Sequence, residues 1–176
     1  LTEQLVKTYR SRNEDIDAVR GVDLEVGPGE VFGFLGPNGA GKSTTVRMLT
    51  TLMTITAGSA RVAGFDVSTH PHETRRRIGV ALQEAGLDAR QTGREILVLQ
   101  ARLFGLNRTD AAARAGELLD WVDLTDAADR SVKGYSGGMK RRLDLASALV
   151  NEPEILFLDE PTTGLDPASR LTVWDE

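Results

Sequence analysis

The chain has 176 residues, of which 40% are hydrophobic, 27% charged and 5% aromatic, so it can form a buried core and is not a disordered chain. With 21 Lys and Arg against 26 Asp and Glu, its net charge of −5 gives no overall attraction to nucleic acid or anionic lipid. A polyanion would have to be bound locally. The absence of cysteine excludes disulfides, thiolate nucleophiles and cysteine-ligated metals.

The first half of the chain predicts strands around one helix. Short strands are expected at 4–9 and 18–26, followed by a Gly-Pro-Gly turn. The unbroken apolar run 31–35 predicts a strand covered on both faces. It leads directly into a glycine-rich segment and then a helix, whose apolar positions are Val46, Leu49 and Met53.

Further strands are predicted at 60–63 and 78–82, separated by a polar loop. That loop contains His70, His72 and the arginines 75–77. Two imidazoles without further ligands predict exposed side chains rather than a metal site. The arginine run is interpreted as a solvated face, with partner docking as the alternative.

From about Thr92 the spacing of apolar residues becomes typical of helices, and a strand is predicted again near the end of the sequence. One helix carries the stripe Ile96, Leu99 and Leu103, and an Ala-rich helix follows at 109–121. A third helix begins near Ser136, with one apolar face made of Met139, Leu143, Ala146 and Val150. Pro153 ends it, and 155–158 predicts a second buried strand.

The glycine-rich segment matches the phosphate-loop pattern G-x-x-x-x-G-K-[ST] through Gly36, Gly41, Lys42 and Ser43. Glycines let main-chain N–H groups curl around phosphates, and the start of the following helix adds its positive dipole end. The lysine suits the β- and γ-phosphates, and the serine hydroxyl suits Mg²⁺. The alternative is a turn that only joins strand to helix.

Two adjacent acids, Asp159 and Glu160, follow the strand 155–158, at the end where ligands bind in parallel sheets. Asp159 can hold the metal, directly or through water. Glu160 can polarise a water molecule that attacks the γ-phosphorus, which would make the protein a hydrolase. The alternative is that both acids only end the strand with soluble residues.

A third motif, Ser136-Gly137-Gly138, opens the helix that continues with the cations 140–142. Serine is a favourable N-cap, and the glycines leave the first N–H groups accessible to an anion. Cations near a helix start are unfavourable, so a negative or polar partner is expected for them.

In this order, these motifs resemble the nucleotide-binding domain of ATP-binding cassette (ABC) transporters. The phosphate loop corresponds to Walker A, Gln83 to the Q-loop, Ser136-Gly137-Gly138 to the signature, the second strand to Walker B and Asp166 to the D-loop. The resemblance covers nearly the whole chain. More narrowly, residues 135–146 resemble ABC-2-type exporters such as the daunorubicin/doxorubicin resistance group.

The resemblance implies an α/β fold of the P-loop NTPase, ABC ATPase type: a mixed sheet core with N-terminal antiparallel strands and an inserted α-helical subdomain. The core would comprise 1–84 and 151–176, and the subdomain 85–150. Tyr9 would stack on adenine, and Gln83 would reach Mg²⁺ and the lytic water. The nucleotide would contact Gly36, Pro37, Asn38, Gly39, Ala40, Gly41, Lys42, Ser43 and Thr44.

The resemblance also implies a pair of domains meeting head to tail, as a homodimer or with a second ATPase subunit. Each ATP would lie between the Walker A of one chain and Ser136, Gly137 and Gly138 of the other, with Asp166 at the boundary. An integral membrane permease would be the further partner, facing the helical lobe and 84–90. The protein would be cytoplasmic, on the inner face of the cell membrane, and would bind no nucleic acid.

The expected function is therefore an ATPase subunit that powers export of a substrate, such as a drug or lipid-like molecule. The family's switch histidine lies beyond Walker B, where this sequence has none, so the chain is interpreted as C-terminally truncated. Two alternatives remain: a soluble ABC ATPase acting on nucleic acid or ribosomes, and a nucleotide-binding fragment without activity.

Overall fold

The structure is a computed structural model that describes residues 1–10, 14–81 and 86–159. Its described residues fall into two compact units, Leu1–Arg75 and a second that begins at Arg76. The phosphate loop belongs to the first unit and the signature to the second. Each unit has its own sheet and its own buried residues.

A four-stranded antiparallel sheet forms the framework of the first unit. Its strands are β1 (Thr2–Tyr9), β2 (Ile16–Leu24), β3 (Ala57–Val62) and β4 (Phe65–Asp66). Their spatial order is β2-β1-β3-β4, so β1 is paired on both sides. The strands predicted at 4–9, 18–26 and 60–63 are confirmed, with shifted ends.

One helix of this unit, α1 (Lys42–Leu49), packs against β2 and β3. Its residues Val46, Met48 and Leu49 are buried, as are apolar side chains of the sheet. Each such side chain contributes about 1.5–3 kcal/mol when fully buried. This packing holds the first turn of α1 in a fixed place. Met53, predicted on the helix, follows it in a turn.

The polar segment predicted as a loop contains a short helix, α2 (Pro71–Arg77). Proline is favourable at a first helical position because its fixed φ suits the helix and its missing N–H would have no helical partner. The two histidines are exposed, as expected, and so are Arg75 and Arg76. Arg77 pairs with Glu154 at 3.2 Å.

Three helices of the second unit enclose its main core: α3 (Gly93–Leu103), α4 (Arg108–Trp121) and α5 (Gly137–Ala148). Leu97, Leu119 and Leu143 are almost completely buried among them. The predicted stripe on α3 is only partly correct, because Ile96 is buried while Leu99 and Leu103 are 48% and 75% exposed. The buried side runs instead through Leu97 and Ala101, which are four residues apart.

Two parallel strands complete the second unit, β5 (Ile78–Ala81) and β6 (Ile155–Leu158), paired in register from Ile78–Ile155 to Ala81–Leu158. Helix α5 approaches β5 closely at Gly79. A Cβ on this glycine would lie 2.1 Å from the carbonyl oxygen of Ala148, so the main chains of β5 and α5 are in contact there. The strand β6 is half-buried rather than fully buried as predicted, with Leu156 39% and Leu158 41% exposed.

The predicted strand at 31–35 is wrong for the described structure. Residues 31–35 have no strand assignment, and Val31 and Leu35 are 100% and 96% exposed. A strand needs a neighbour to pair its N–H and C=O groups, and the pairings among the described residues give this segment none. Apolarity alone predicted burial, but pairing decides whether a strand forms.

Candidate nucleotide-binding site

The phosphate loop ends in a glycine that the fold requires. Gly41 has φ +84°, a left-handed conformation, and a Cβ there would lie 2.3 Å from the carbonyl oxygen of Ala18. Gly41 is also the N-cap of α1, and a glycine has no side chain with which to cap the helix start. The amino end of α1, with its positive dipole end, therefore lies at the end of the loop, an arrangement that suits an anion.

The lysine of the motif is held by its own loop. The Lys42 ammonium donates to the carbonyl oxygens of Gly36 at 2.8 Å and Pro37 at 2.9 Å. An ammonium has three donors, so one can still reach a phosphate oxygen. Ser43 and Thr44 follow in the first turn of α1, and residues 36–40 are exposed. The lysine and the helix start thus lie together at one exposed segment.

The predicted adenine-stacking residue, Tyr9, ends β1 and is 40% exposed. Its hydroxyl donates to Sδ of Met53 at 3.1 Å, and the ammonium of Lys7 lies 5.6 Å from its ring centroid. An exposed aromatic ring can stack on a base. The sequence analysis did not identify Lys7 or Met53 as neighbours of Tyr9. Only the i, i+2 spacing of Lys7 and Tyr9 on one strand could have indicated the first of these contacts.

The signature motif is built as predicted. Ser136 is the N-cap of α5, and its hydroxyl accepts a hydrogen bond from the N–H of Met139 at 3.2 Å. Gly137 and Gly138 are the first two helical residues, and among the residues that the structure describes, none would lie within 4 Å of a Cβ on Gly137. Ser136 and Gly137 are exposed. The helix start is therefore open to a group from outside the second unit.

The residue before the motif anchors it to the helical core. Tyr135 is 5% exposed, and its hydroxyl donates to the carbonyl oxygen of Ala127 at 2.7 Å. Burial raises the pKa of this phenol. Gly93, at the start of α3, leaves room for the hydroxyl, since a Cβ there would lie 2.6 Å from it. The position of the signature is thus set by side-chain packing.

The partners expected for the cations after the signature are Asp144, Asp123 and main-chain carbonyls. Arg141 is 8% exposed and donates to Asp144 at 3.0 Å. Burial raises the pKa of Asp144 to about 6, and the charge of Arg141 only partly opposes this shift. Arg142 donates to the carbonyl oxygens of Val122 at 2.9 Å and Asp123 at 3.2 Å, after the end of α4.

The predicted metal-binding acid, Asp159, directly follows β6. Its N–H donates to the carbonyl oxygen of Ala81 at 3.0 Å, and its own carbonyl oxygen lies 3.5 Å from Nη2 of Arg141. The sequence analysis missed the pair Arg141–Asp144 as a neighbour of this acid. The sequence did contain a signal for this pair, because an Arg and an Asp three residues apart on one helix lie on the same face. Gln83, Glu160 and Asp166 lie outside the described residues.

Residues 19–163 match the family model described as ABC transporter, so the chain belongs to the ABC transporter ATP-binding domain family. It is 55% identical over 174 residues to the daunorubicin/doxorubicin resistance ATP-binding protein DrrA of Streptomyces peucetius, covering 99% of this chain and 52% of that protein. It is 48% identical to the Nod factor export ATP-binding protein I of Burkholderia thailandensis, covering 98% and 56%. The chain therefore spans about half the length of these relatives.

Among solved structures, the ATP-binding cassette MJ0796, a dimer in a post-hydrolysis state bound to ADP and Pi, is similar with a TM-score of 0.89. The identity is 28%, and the match covers 99% of this chain and 79% of that one. The predicted fold class, an ABC ATPase with mixed strands and helices, is confirmed. None of the helices in the described residues has both the length and the apolarity to cross a membrane.

Proposed function

We propose that this chain binds MgATP and hydrolyses it. The observation that carries this proposal is the start of α1, where Gly41 provides no side-chain cap and Lys42 is folded over the loop carbonyls. Such a cradle suits a polyphosphate because main-chain N–H groups, a helix dipole and a cation all favour negative charge. The solved relative bound to ADP and Pi is consistent with this ligand.

The proposed metal is Mg²⁺, held by the hydroxyl of Ser43, the carboxylate of Asp159 and the side chain of Gln83. Oxygen donors of this kind are what Mg²⁺ prefers in proteins, usually together with substrate phosphates and water. The bound ion would neutralise charge on the phosphates during transfer. Glu160 would accept a proton from the attacking water. Asp159, immediately after β6, is the described member of the acid pair.

We further propose that the signature serves a second chain. The exposure of Ser136 and Gly137 suits close approach by a nucleotide bound elsewhere. In the described part of the chain no atom would lie within 4 Å of a Cβ on Gly137, so packing there does not require a glycine. A head-to-tail pair, as a homodimer or with a second ATPase subunit, would bring Ser136, Gly137 and Gly138 to the ATP of the partner, with Asp166 at the boundary. The solved relative is likewise described as dimeric.

The whole protein would then power export through a separate membrane permease. One relative is named for daunorubicin/doxorubicin resistance and another for Nod factor export, which supports a drug or lipid-like substrate. The protein would act in the cytoplasm at the inner face of the cell membrane. We also propose the division into a core, 1–84 with 151–176, and a helical subdomain, 85–150.

Two substitutions test this proposal. Lys42→Ala should weaken MgATP binding at least tenfold, or about 1.4 kcal/mol, while Lys133→Ala, which changes an exposed lysine on a short helical turn, should not. Glu160→Gln in the complete protein should nearly abolish steady-state phosphate release and leave ATP binding intact. ATP affinity within threefold of wild type for Lys42→Ala, or unaltered turnover for Glu160→Gln, would contradict the corresponding role.

A further inference from the structure

Lys7 contacts both the ring of Tyr9 and the segment that follows α1. Its ammonium donates to the carbonyl oxygen of Thr54 at 2.7 Å and lies 3.4 Å from the hydroxyl oxygen of that residue. The same ammonium is 5.6 Å from the centroid of the Tyr9 ring. Lys7 is half-buried, so its charge is held in one place rather than free in solvent.

The ring is tied to the same segment at its other end. The Tyr9 hydroxyl donates to Sδ of Met53, and the N–H of Met53 donates to the carbonyl oxygen of Arg47 at 3.0 Å, in the last turn of α1. Two side chains thus connect Tyr9 to the carboxyl end of α1. The phosphate loop lies at the amino end of the same helix, about 12 Å away for a rise of 1.5 Å per residue.

We propose that Lys7 is a positioning residue for base recognition. A cation above an aromatic ring is attracted by the electron-rich face, within about 6 Å of the centroid. With Lys7 on one face and Met53 at the hydroxyl, the ring is held so that its remaining face can receive the base. This inference rests on the proposed ATP site, in which Tyr9 stacks on adenine.

The geometry separates this role from simple attraction of phosphates. The Lys7 ammonium donates a hydrogen bond to the carbonyl oxygen of Thr54, beyond the carboxyl end of α1, whereas phosphates would bind at Lys42 and the amino end of that helix. A charge held there acts on the ring at 5.6 Å. Its effect should therefore depend on the base and on Tyr9, and not on the phosphate chain.

The test compares a ligand that has a base with one that lacks it. Affinities of the full chain for MgATP and for magnesium tripolyphosphate are measured by calorimetry in wild type, Lys7→Met, Lys7→Arg, Tyr9→Ala and the double variant Lys7→Met/Tyr9→Ala. Met keeps the apolar stem of the lysine and removes the charge, whereas Arg keeps the charge and can also lie over a ring. Circular dichroism checks that each variant is folded.

Lys7→Met should weaken MgATP binding about threefold and leave tripolyphosphate binding unchanged, and Lys7→Arg should restore most of the loss. Tyr9→Ala should weaken MgATP binding about tenfold, and adding Lys7→Met to it should have no further effect. The inference would be overturned if Lys7→Met weakened tripolyphosphate binding as much as MgATP binding. It would also be overturned if Lys7→Met left MgATP affinity unchanged while Tyr9→Ala clearly lowered it. Either result would leave the proposed base site standing. No loss for Tyr9→Ala would overturn both.

Discussion

The main-chain N–H of Asp159 donates to the carbonyl oxygen of Ala81 at 3.0 Å, so the ends of β6 and β5 are joined by one more hydrogen bond after the strands finish. Since the strands are parallel, their carboxyl ends share one edge of the sheet. Gln83 follows two residues after Ala81 in the sequence. This relationship supports the proposal that Asp159 and Gln83, distant in the sequence, bind one ion.

Asp159→Asn should reduce magnesium-dependent ATP turnover of the complete protein about 100-fold or more. The amide keeps the shape and the main-chain bond to Ala81 but removes the charge that attracts the cation. ATP binding without magnesium should change little. Asp120→Asn, at an exposed position on α4, is the matched control and should leave turnover unaltered. Near-normal turnover in Asp159→Asn would remove this residue from the metal site.

Gly41→Ala should destabilise the first unit and impair phosphate binding together. A left-handed conformation costs a non-glycine residue about 1–3 kcal/mol, and the new methyl group would also press against the carbonyl of Ala18. Urea unfolding and calorimetric ATP titration measure the two effects. Gly116→Ala on α4 is the control, since a Cβ there meets nothing within 4 Å, and it should stabilise the protein by about 0.5–1 kcal/mol. Equal stability of both variants would show that the loop tolerates a Cβ.

Gly137→Ala tests whether the signature meets a second chain. The added methyl group would contact none of the described residues of its own chain, so the free energy of unfolding should change by less than about 0.5 kcal/mol. ATP-dependent dimerisation and turnover should nevertheless fall, because the methyl group would occupy space needed by the partner's nucleotide. Sedimentation with ATP, using the hydrolysis-impaired Glu160→Gln background, measures the dimer. A full-strength dimer in Gly137→Ala would argue against close approach at this helix start.

The buried carboxyl of Asp144 should make stability fall as pH rises from about 4 to 6. Its pKa is raised from 3.8 to about 6 by burial, so the folded state binds more protons than the unfolded state between these values. The contribution is fully present below about pH 4 and lost above about pH 6, with an upper limit of about 3 kcal/mol. Urea unfolding across this range should show the component in wild type and not in Asp144→Asn. Identical slopes in both proteins would assign the pH dependence to other groups.

Local motifs were predictable from the sequence because short-range chemistry determines them. Ser136 caps α5 through its own hydroxyl, and Gly41 takes a conformation that other residues avoid. The short strands predicted at 4–9 and 60–63 overlap β1 and β3, with shifted ends. For the cap and the glycine, the deciding atoms lie within a few residues of one another, whereas the ends of the strands depend on pairing with distant residues.

The predictions that were wrong or missing concern features that depend on residues distant in the sequence. The apolar run 31–35 predicted a strand, but its pairing depends on a neighbour that no local pattern specifies. On α3, both Leu99 and Leu97 are apolar, and only packing against α4 and α5 determines which of them is buried. The contact between Arg141 and the end of β6 required the register of helix and strand, which is a tertiary property.

The bare glycine at position 79 has a mechanical consequence. Where the carbonyl of Ala148 faces Gly79, α5 and β5 meet through main-chain atoms, so no side chain at that point can change rotamer to take up a displacement. Such a joint is stiff. A displacement of α5 at this contact is therefore expected to move β5 with it, because close-packed main-chain atoms have little room to yield.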